Sequence, residues 1–329
     1  MKKEKKILAC PYCGSVEIVP KVIFGGPLPG IDAKNGTYVC EKCEKEAVPL
    51  HFRTFEEWSS FFGGVGISSE SGSAFFRIPV LPIDTVPFLS IGRIEFPIGK
   101  VARVSNIVWR GNALASINEG IPFDIYLKTV FGKNYSANAI LLMDLAGINE
   151  GKPNFKVLKE LTRKNREIWL DIGMHTLQDL FDSYAMEVSR AIINTSTANG
   201  LRIFEEAFEL SDRCMPCIYF DKEIRWAKRN SGPADLKTMA NMLKKIGYEE
   251  MAVIDINHLG SSKGVSKDFV KKALANDLKV YIGGGVVETD LDLLEKEGAT
   301  GALIDPHTPM IRSLLENDDE KLHPSTFSL

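Results

Sequence analysis

The 329-residue sequence predicts an α/β fold. Specifically, it predicts a (β/α)8 TIM-type barrel of two similar halves, preceded by a small zinc ribbon. Three observations carry this. Short β-branched runs alternate with amphipathic helical patterns over roughly the last 240 residues, the pattern of a parallel sheet covered by helices. Polar residues at the ends of those runs recur at a fixed interval, and such self-similarity marks a fold built from repeated units. Two C-x2-C pairs lie within the first 50 residues.

Bulk composition permits a sizeable core. Hydrophobic residues make up 44% and charged residues 25%, ordinary for a globular protein. The formal net charge is -3, so no basic excess advertises nucleic acid. No apolar run approaches the ~18 residues that span a bilayer, and the N-terminus lacks the apolar region of a signal peptide. The expectation is a soluble, cytoplasmic protein with no membrane partner.

Cys10, Cys13, Cys40 and Cys43 form the two pairs. Each pair sets two thiolates on a knuckle, and two facing knuckles supply the tetrahedral ligand set of structural zinc. Residues 1–50 are therefore expected to be a ribbon holding one zinc as its cofactor. All four ligands are used, so the site is closed. Such a ribbon contacts protein or nucleic acid, or caps a neighbouring domain. A third pair, Cys214 and Cys217, has no partner pair and reads as buried thiols.

Residues 51–90 read as a linker or docking segment. Phe52, Phe55, Trp58, Phe61 and Phe62 form an aromatic stripe, and 63–73 is rich in Gly and Ser. Residues 75–89 are apolar and punctuated by proline, an additional strand or a closing segment under the barrel.

The barrel is expected over 91–318, with 319–329 as a tail. Strands are expected at 93–96, 139–144, 167–171, 191–194, 217–221, 251–255, 279–283 and 302–305. Asp144 and Asp255 lie 111 positions apart, as do Lys152 and Lys263, and Asn194 and Asp305. Gly173 and Gly285 lie 112 apart. These residues follow strands, and in such barrels the strand ends form the working face.

The motifs in this region resemble a known family. Ile94-Glu95-Phe96 with Gly99-Lys100-Val101, Met143-Asp144-Leu145 with Gly151-Lys152-Pro153-Asn154, Tyr219-Phe220-Asp221, and Ile282-Gly283-Gly284-Gly285 are similar to the barrel isomerase and the synthase cyclase subunit of histidine biosynthesis. Trp169-Leu170-Asp171-Ile172-Gly173 fits another branch of that superfamily better. The resemblance implies an aminoaldose–aminoketose type of isomerisation by two carboxylates on opposite halves, here Glu95 and Asp221. Glu95 stands where the family has Asp. The resemblance also implies phosphate sites at Asn194 and Thr195 and at Gly283, Gly284 and Gly285. Asp171, Asp305 and Pro306 replace expected glycines there, which favours a monophosphate or an unphosphorylated small molecule as ligand.

Asp144, Asp171, Asp221, Asp255 and Asp305, with His175, His258 and His307 nearby, form an acid-rich mouth that could also hold a divalent cation. Two functions follow. One is an isomerase- or lyase-like enzyme acting on a small sugar-phosphate or heterocyclic metabolite, in coenzyme or nucleotide biosynthesis. The other is a catalytically inactive barrel that binds or scaffolds, with the ribbon as its contact surface.

Overall fold

In a computed structural model, the described residues are 7–10, 15–20, 38–41, 46–47, 50–52, 75–88, 99–118, 120–131, 137–162 and 167–322. The chain divides into two compact units, Met1–Ala74 and Phe75–Leu329.

In the first unit, β1 (Ile7–Ala9) pairs antiparallel with β5 (Leu50–Phe52). β3 (Tyr38–Cys40) lies between β2 (Ile18–Pro20) and β4 (Glu46–Ala47). Cys10 follows β1 and Cys40 ends β3, and both are buried. The Cys10 N–H donates to the Ser15 carbonyl at 2.8 Å. Cys13 and Cys43 lie outside the described residues.

The second unit is a closed barrel of eight parallel strands. They are β6 (Phe76–Phe88), β11 (Ile140–Asp144), β12 (Ile168–Asp171), β13 (Arg190–Asn194), β14 (Cys214–Phe220), β15 (Glu250–Asp255), β16 (Lys279–Gly283) and β17 (Gly301–Ile304). β17 pairs with β6 to close the ring. The sequence expectation is corrected here. The first strand is 76–88, not 93–96, and the barrel begins before residue 91. Residues 93–96 lie outside the described residues.

Strand period 2 sorts the side chains into two cores. Ile78, Val80, Leu141, Met143, Trp169, Ile192, Met215, Cys217, Tyr219, Ala252, Ile254, Tyr281 and Leu303 fill the lumen. Their neighbours along each strand, such as Leu81, Ile83, Leu142, Leu170 and Val253, pack outward with the helices. Cys214 and Cys217 are three apart, so they fall on opposite faces of β14, one in each core. Both are buried.

The helix Leu236–Ile246 shows how the outer layer is specified. Leu236, Met239, Ala240 and Leu243 recur at helical spacing and are its buried face. The Asp235 side chain accepts from the Thr238 N–H at its start, and Gly247, with φ of 122°, ends it. A Cβ there would lie 2.5 Å from the Phe208 ring.

The connection after β6 departs from a simple strand–helix unit. β7 (Gly99–Val104) folds back on the second half of β6. A hairpin of β8 (Ile107–Arg110) and β9 (Ala113–Ser116) follows. β10 (Ile121–Pro122), a short helix Phe123–Tyr126 and a π-helical turn Leu127–Phe131 complete it. β7 falls within 94–104, the stretch that resembles a first strand and hairpin; the other elements are not foreshadowed by the sequence pattern. No helix among the described residues is long and apolar enough to cross a membrane.

Candidate functional site at the strand-end mouth

Strand parity decides which strand-end residues look into the mouth. Asp84 shares the lumen-facing parity of Ile78 and Val80; Asp171 shares that of Trp169, Asn194 that of Ile192, Asp221 that of Tyr219, and Asp305 that of Leu303. Asp144 and Asp255 have the opposite parity. Asp144 Oδ2 accepts from the Asn154 N–H at 3.0 Å. Asp255 Oδ1 accepts from the Asn257 N–H at 3.0 Å, and its Oδ2 meets His258 Nδ1 at 2.7 Å. The repeated pair thus ties down the loops after the second and sixth strands.

Asp84 is the residue that sequence reasoning missed. It lies near the mouth end of β6 and accepts from the Ser116 hydroxyl at 3.3 Å. Prolines at 79, 82 and 87 disguise the strand, because proline argues against an interior strand. The alternation of Ile78, Val80 and Asp84 is the signal that could have revealed it. Glu95 lies outside the described residues.

Asp221 follows β14 directly. Asn257 Nδ2 donates to its Oδ1 at 2.6 Å, and Arg225 Nη2 to its Oδ2 at 2.6 Å. These two partners, Asn257 first, hold its carboxyl below the usual range. A chain of contacts therefore runs from Arg225 through Asp221 and Asn257 to Asp255 and His258.

Asp171 and Asp305 behave oppositely, because both are buried. Burial pushes Asp171 up to about 7, against the Gly173 N–H and the Asn194 amide. It pushes Asp305 up to about 6, against backbone donors at Ser262, Gly260 and Gly285. Asp144 is also raised by burial. Among the described residues no three His, Cys, Asp or Glu side chains gather as a metal site. The described acids of the mouth are each held by separate partners.

The other expected ligand residues are engaged locally. Thr195 Oγ1 accepts from the Tyr219 N–H at 3.0 Å, bridging β13 and β14. His175 is exposed, and its N–H donates to Asp179 at the start of the helix Leu177–Tyr184. A Cβ on Gly283 would meet Leu303 at 2.9 Å, and one on Gly284 the Asp255 carbonyl at 2.2 Å. The Gly285 N–H donates to Asp305 at 3.2 Å.

The hairpin β8–β9 lies over this mouth. Ile107 and Leu114 are buried among the lumen residues with Ile148, Ile256 and Leu259. Asn149 exchanges two hydrogen bonds with the Leu114 backbone, at 2.9 and 2.7 Å. Asn106 Nδ2 donates to the Gly260 carbonyl at 2.7 Å, and the Trp109 ring meets Tyr219 edge-on at 5.8 Å. Beside the hairpin opens a cleft of about 370 Å³, lined by Trp109, Ser196, Arg225, Trp226, Arg229 and Asn230 among others. Arg225 Nε is buried with no partner among the described residues.

No curated protein matches the chain. The sequence profile of the family described as Histidine biosynthesis protein matches residues 124–305. That span covers seven of the eight barrel strands, leaving out β6 and the hairpin. An isomerase- or cyclase-type barrel enzyme is what such membership suggests, and on this match the chain belongs to the Histidine biosynthesis protein family.

Proposed function

We propose that the barrel is an isomerase- or lyase-like enzyme that works by acid–base catalysis on a small sugar-phosphate or heterocyclic metabolite. One observation carries this reading. Asp84 lies in the first strand and Asp221 directly follows the fifth, half a ring apart, and both have lumen-facing parity at the mouth. In an aldose–ketose isomerisation, carbon 2 loses a proton to a base while the carbonyl oxygen gains one from an acid. From the resulting enediol, the 2-hydroxyl gives its proton to the carboxylate left by the acid, carbon 1 takes the proton held by the base, and the ketone forms. Asp221, held ionised by Asn257 and Arg225, suits the base, and Asp84 is the carboxyl across from it. The aromatic and cationic cleft at Trp109, Trp226, Arg225 and Arg229 suits a planar or anionic part of the same ligand.

Proton–deuterium exchange in deuterium oxide, followed by NMR over a panel of aldose phosphates and N-ribosyl heterocycles, tests this. The wild-type protein exchanges a proton next to the carbonyl of its substrate. Asp221→Asn and Asp84→Asn each lower the rate by about 10²–10⁴-fold, the usual cost of removing a general acid or base. Unchanged exchange in both variants refutes the reading.

A second reading, a barrel that binds without turnover, has its own support in the hairpin, whose Ile107 and Leu114 occupy the mouth. It gains ground if no compound in the panel exchanges.

For the first unit, the proposal is one structural zinc on Cys10, Cys13, Cys40 and Cys43. The burial of Cys10 just after β1 and of Cys40 at the end of β3 supports it. Elemental analysis should give one zinc per chain, and Cys10→Ser should lose it. Zinc-free protein as purified refutes the ligand set.

A further inference from the structure

The two halves of the barrel solve one problem in mirrored ways. In the first half, Asp171 Oδ1 accepts from the Gly173 N–H at 2.9 Å, and Asn194 Nδ2 reaches both Asp171 oxygens at 2.8 Å. In the second half, the repeat partner of Gly173 is Gly285, whose N–H goes to Asp305 Oδ1 at 3.2 Å. The Ser262 N–H donates to Asp305 Oδ2 at 3.0 Å, and Gly260 is a further backbone donor. Asp171 ends the third strand and Asp305 follows the eighth. The second half has Gly283 where the first has Asp171, and the first has Asn194 where the second has Asp305. So each half carries one buried carboxylate, drawn from opposite members of its strand pair, on the equivalent glycine N–H.

Converging backbone N–H groups after strand ends are an anion cradle. We propose that the glycine-rich cradle of the second half is filled by Asp305 itself and so accepts no external phosphate, just as Asp171 already takes the equivalent Gly173 N–H in the first half. Packing agrees with the hydrogen bonds. Gly285 is in the left-handed region, with φ of 82°, and a Cβ there would meet His258 O, Ser261 Oγ and Gly264 O at about 3 Å. The loop after the sixth strand therefore lies on the cradle, and Asp305 itself is only 1% exposed. An anion entering would have to displace a carboxylate that already satisfies these donors, and it would meet that carboxylate's charge. For a ligand of the mouth, a phosphate then has Arg225 and Arg229 of the cleft as cationic partners. That last step rests on the proposed function; the closed cradle does not.

Binding of inorganic phosphate tests it without any turnover, so failure of the enzymatic reading leaves the result intact. Titrations at constant ionic strength, read by 31P line width, are made on an Arg229→Ala background that removes the exposed cation of the cleft. The parent background shows no saturable binding up to about 10 mM. Adding Asp305→Gly uncovers the donors and produces a site at least about tenfold tighter. Adding Asp305→Asn, which keeps the cradle filled, does not. Saturable binding to the parent background overturns the proposal, and so does a folded Asp305→Gly protein that gains no site. If the glycine variant does not fold, the parent titration decides alone: absence of binding up to about 10 mM sustains the proposal and saturable binding within that range ends it.

Discussion

Asp221 and Asp171 follow or end strands two apart in the ring, yet their surroundings drive their carboxyls in opposite directions. Asp221 is partly exposed and held by an amide and a guanidinium, so its pKa falls. Asp171 is buried, and its pKa rises to about 7; that of Asp305 rises to about 6. The unfolded chain holds such groups near 3.8. Between pH 3.8 and about 7 the folded protein therefore binds more protons than the unfolded chain, and stability falls as pH rises through that window. What these two groups contribute is fully present below 3.8 and lost above about 7. Asp221 acts in the reverse sense, its contribution present above 3.8 and lost as pH falls. A tenfold change in proton affinity is worth about 1.36 kcal/mol, so urea unfolding should show Asp171 costing roughly 2–4 kcal/mol between pH 4 and 8. Asp171→Asn should flatten that decline; an equal slope in variant and wild type refutes the assignment. At this scale the sequence was informative about Asp221, which closes an apolar run. For the carboxyl across the ring, the motif Gly99-Lys100-Val101 points to Glu95, which lies outside the described residues, while three prolines hide the strand that carries Asp84.

Elements defined by local periodicity were legible, and those defined by distant partners were not. The helix Leu236–Ile246 announces itself through its apolar spacing, Asp235 before it and Gly247 after it. The hairpin β8–β9 has no such signature. Its apolar residues run consecutively rather than alternating, and what fixes it comes from far along the chain: Asn149, Tyr219 and Gly260. Gly260 is the closest contact, in the left-handed region with φ of 70°. A Cβ there would lie on the Ile107 carbonyl oxygen. Gly260→Ala must therefore move the hairpin or strain the loop, at about 1–3 kcal/mol. Hydrogen exchange should quicken across 107–116, beginning at the Leu114 N–H that Asn149 holds. Unchanged protection of that segment would show that Gly260 does not seat the hairpin.

For the whole molecule, the repeat at 111 positions was the strongest signal, and it has a physical meaning. Asp144 and Asp255 tie down equivalent loops, and Asn194 and Asp305 sit in equivalent cradles. What the repeat could not give was the opening of the ring, since β6 is separated from β11 by more than fifty residues, the hairpin and a short helix among them. Closure depends on β6 from both sides. Phe76–Pro79 pair with β17, and Val80–Ile83 pair with β11. Without it the lumen loses Ile78 and Val80, and the outer core loses Leu81 and Ile83, all buried. Four buried aliphatic side chains at about 1.5–3 kcal/mol each are worth roughly 6–12 kcal/mol, the whole of an ordinary domain's net stability. Two strand edges would also be left open to pairing with other chains. A chain starting at residue 75 should therefore unfold in one cooperative thermal transition with far-ultraviolet dichroism of a mixed α/β protein, whereas one starting at residue 91 should aggregate or show no transition. Cooperative, monomeric folding of the shorter chain would mean that the ring closes without β6, and the placement of Asp84 in the mouth would fall with it.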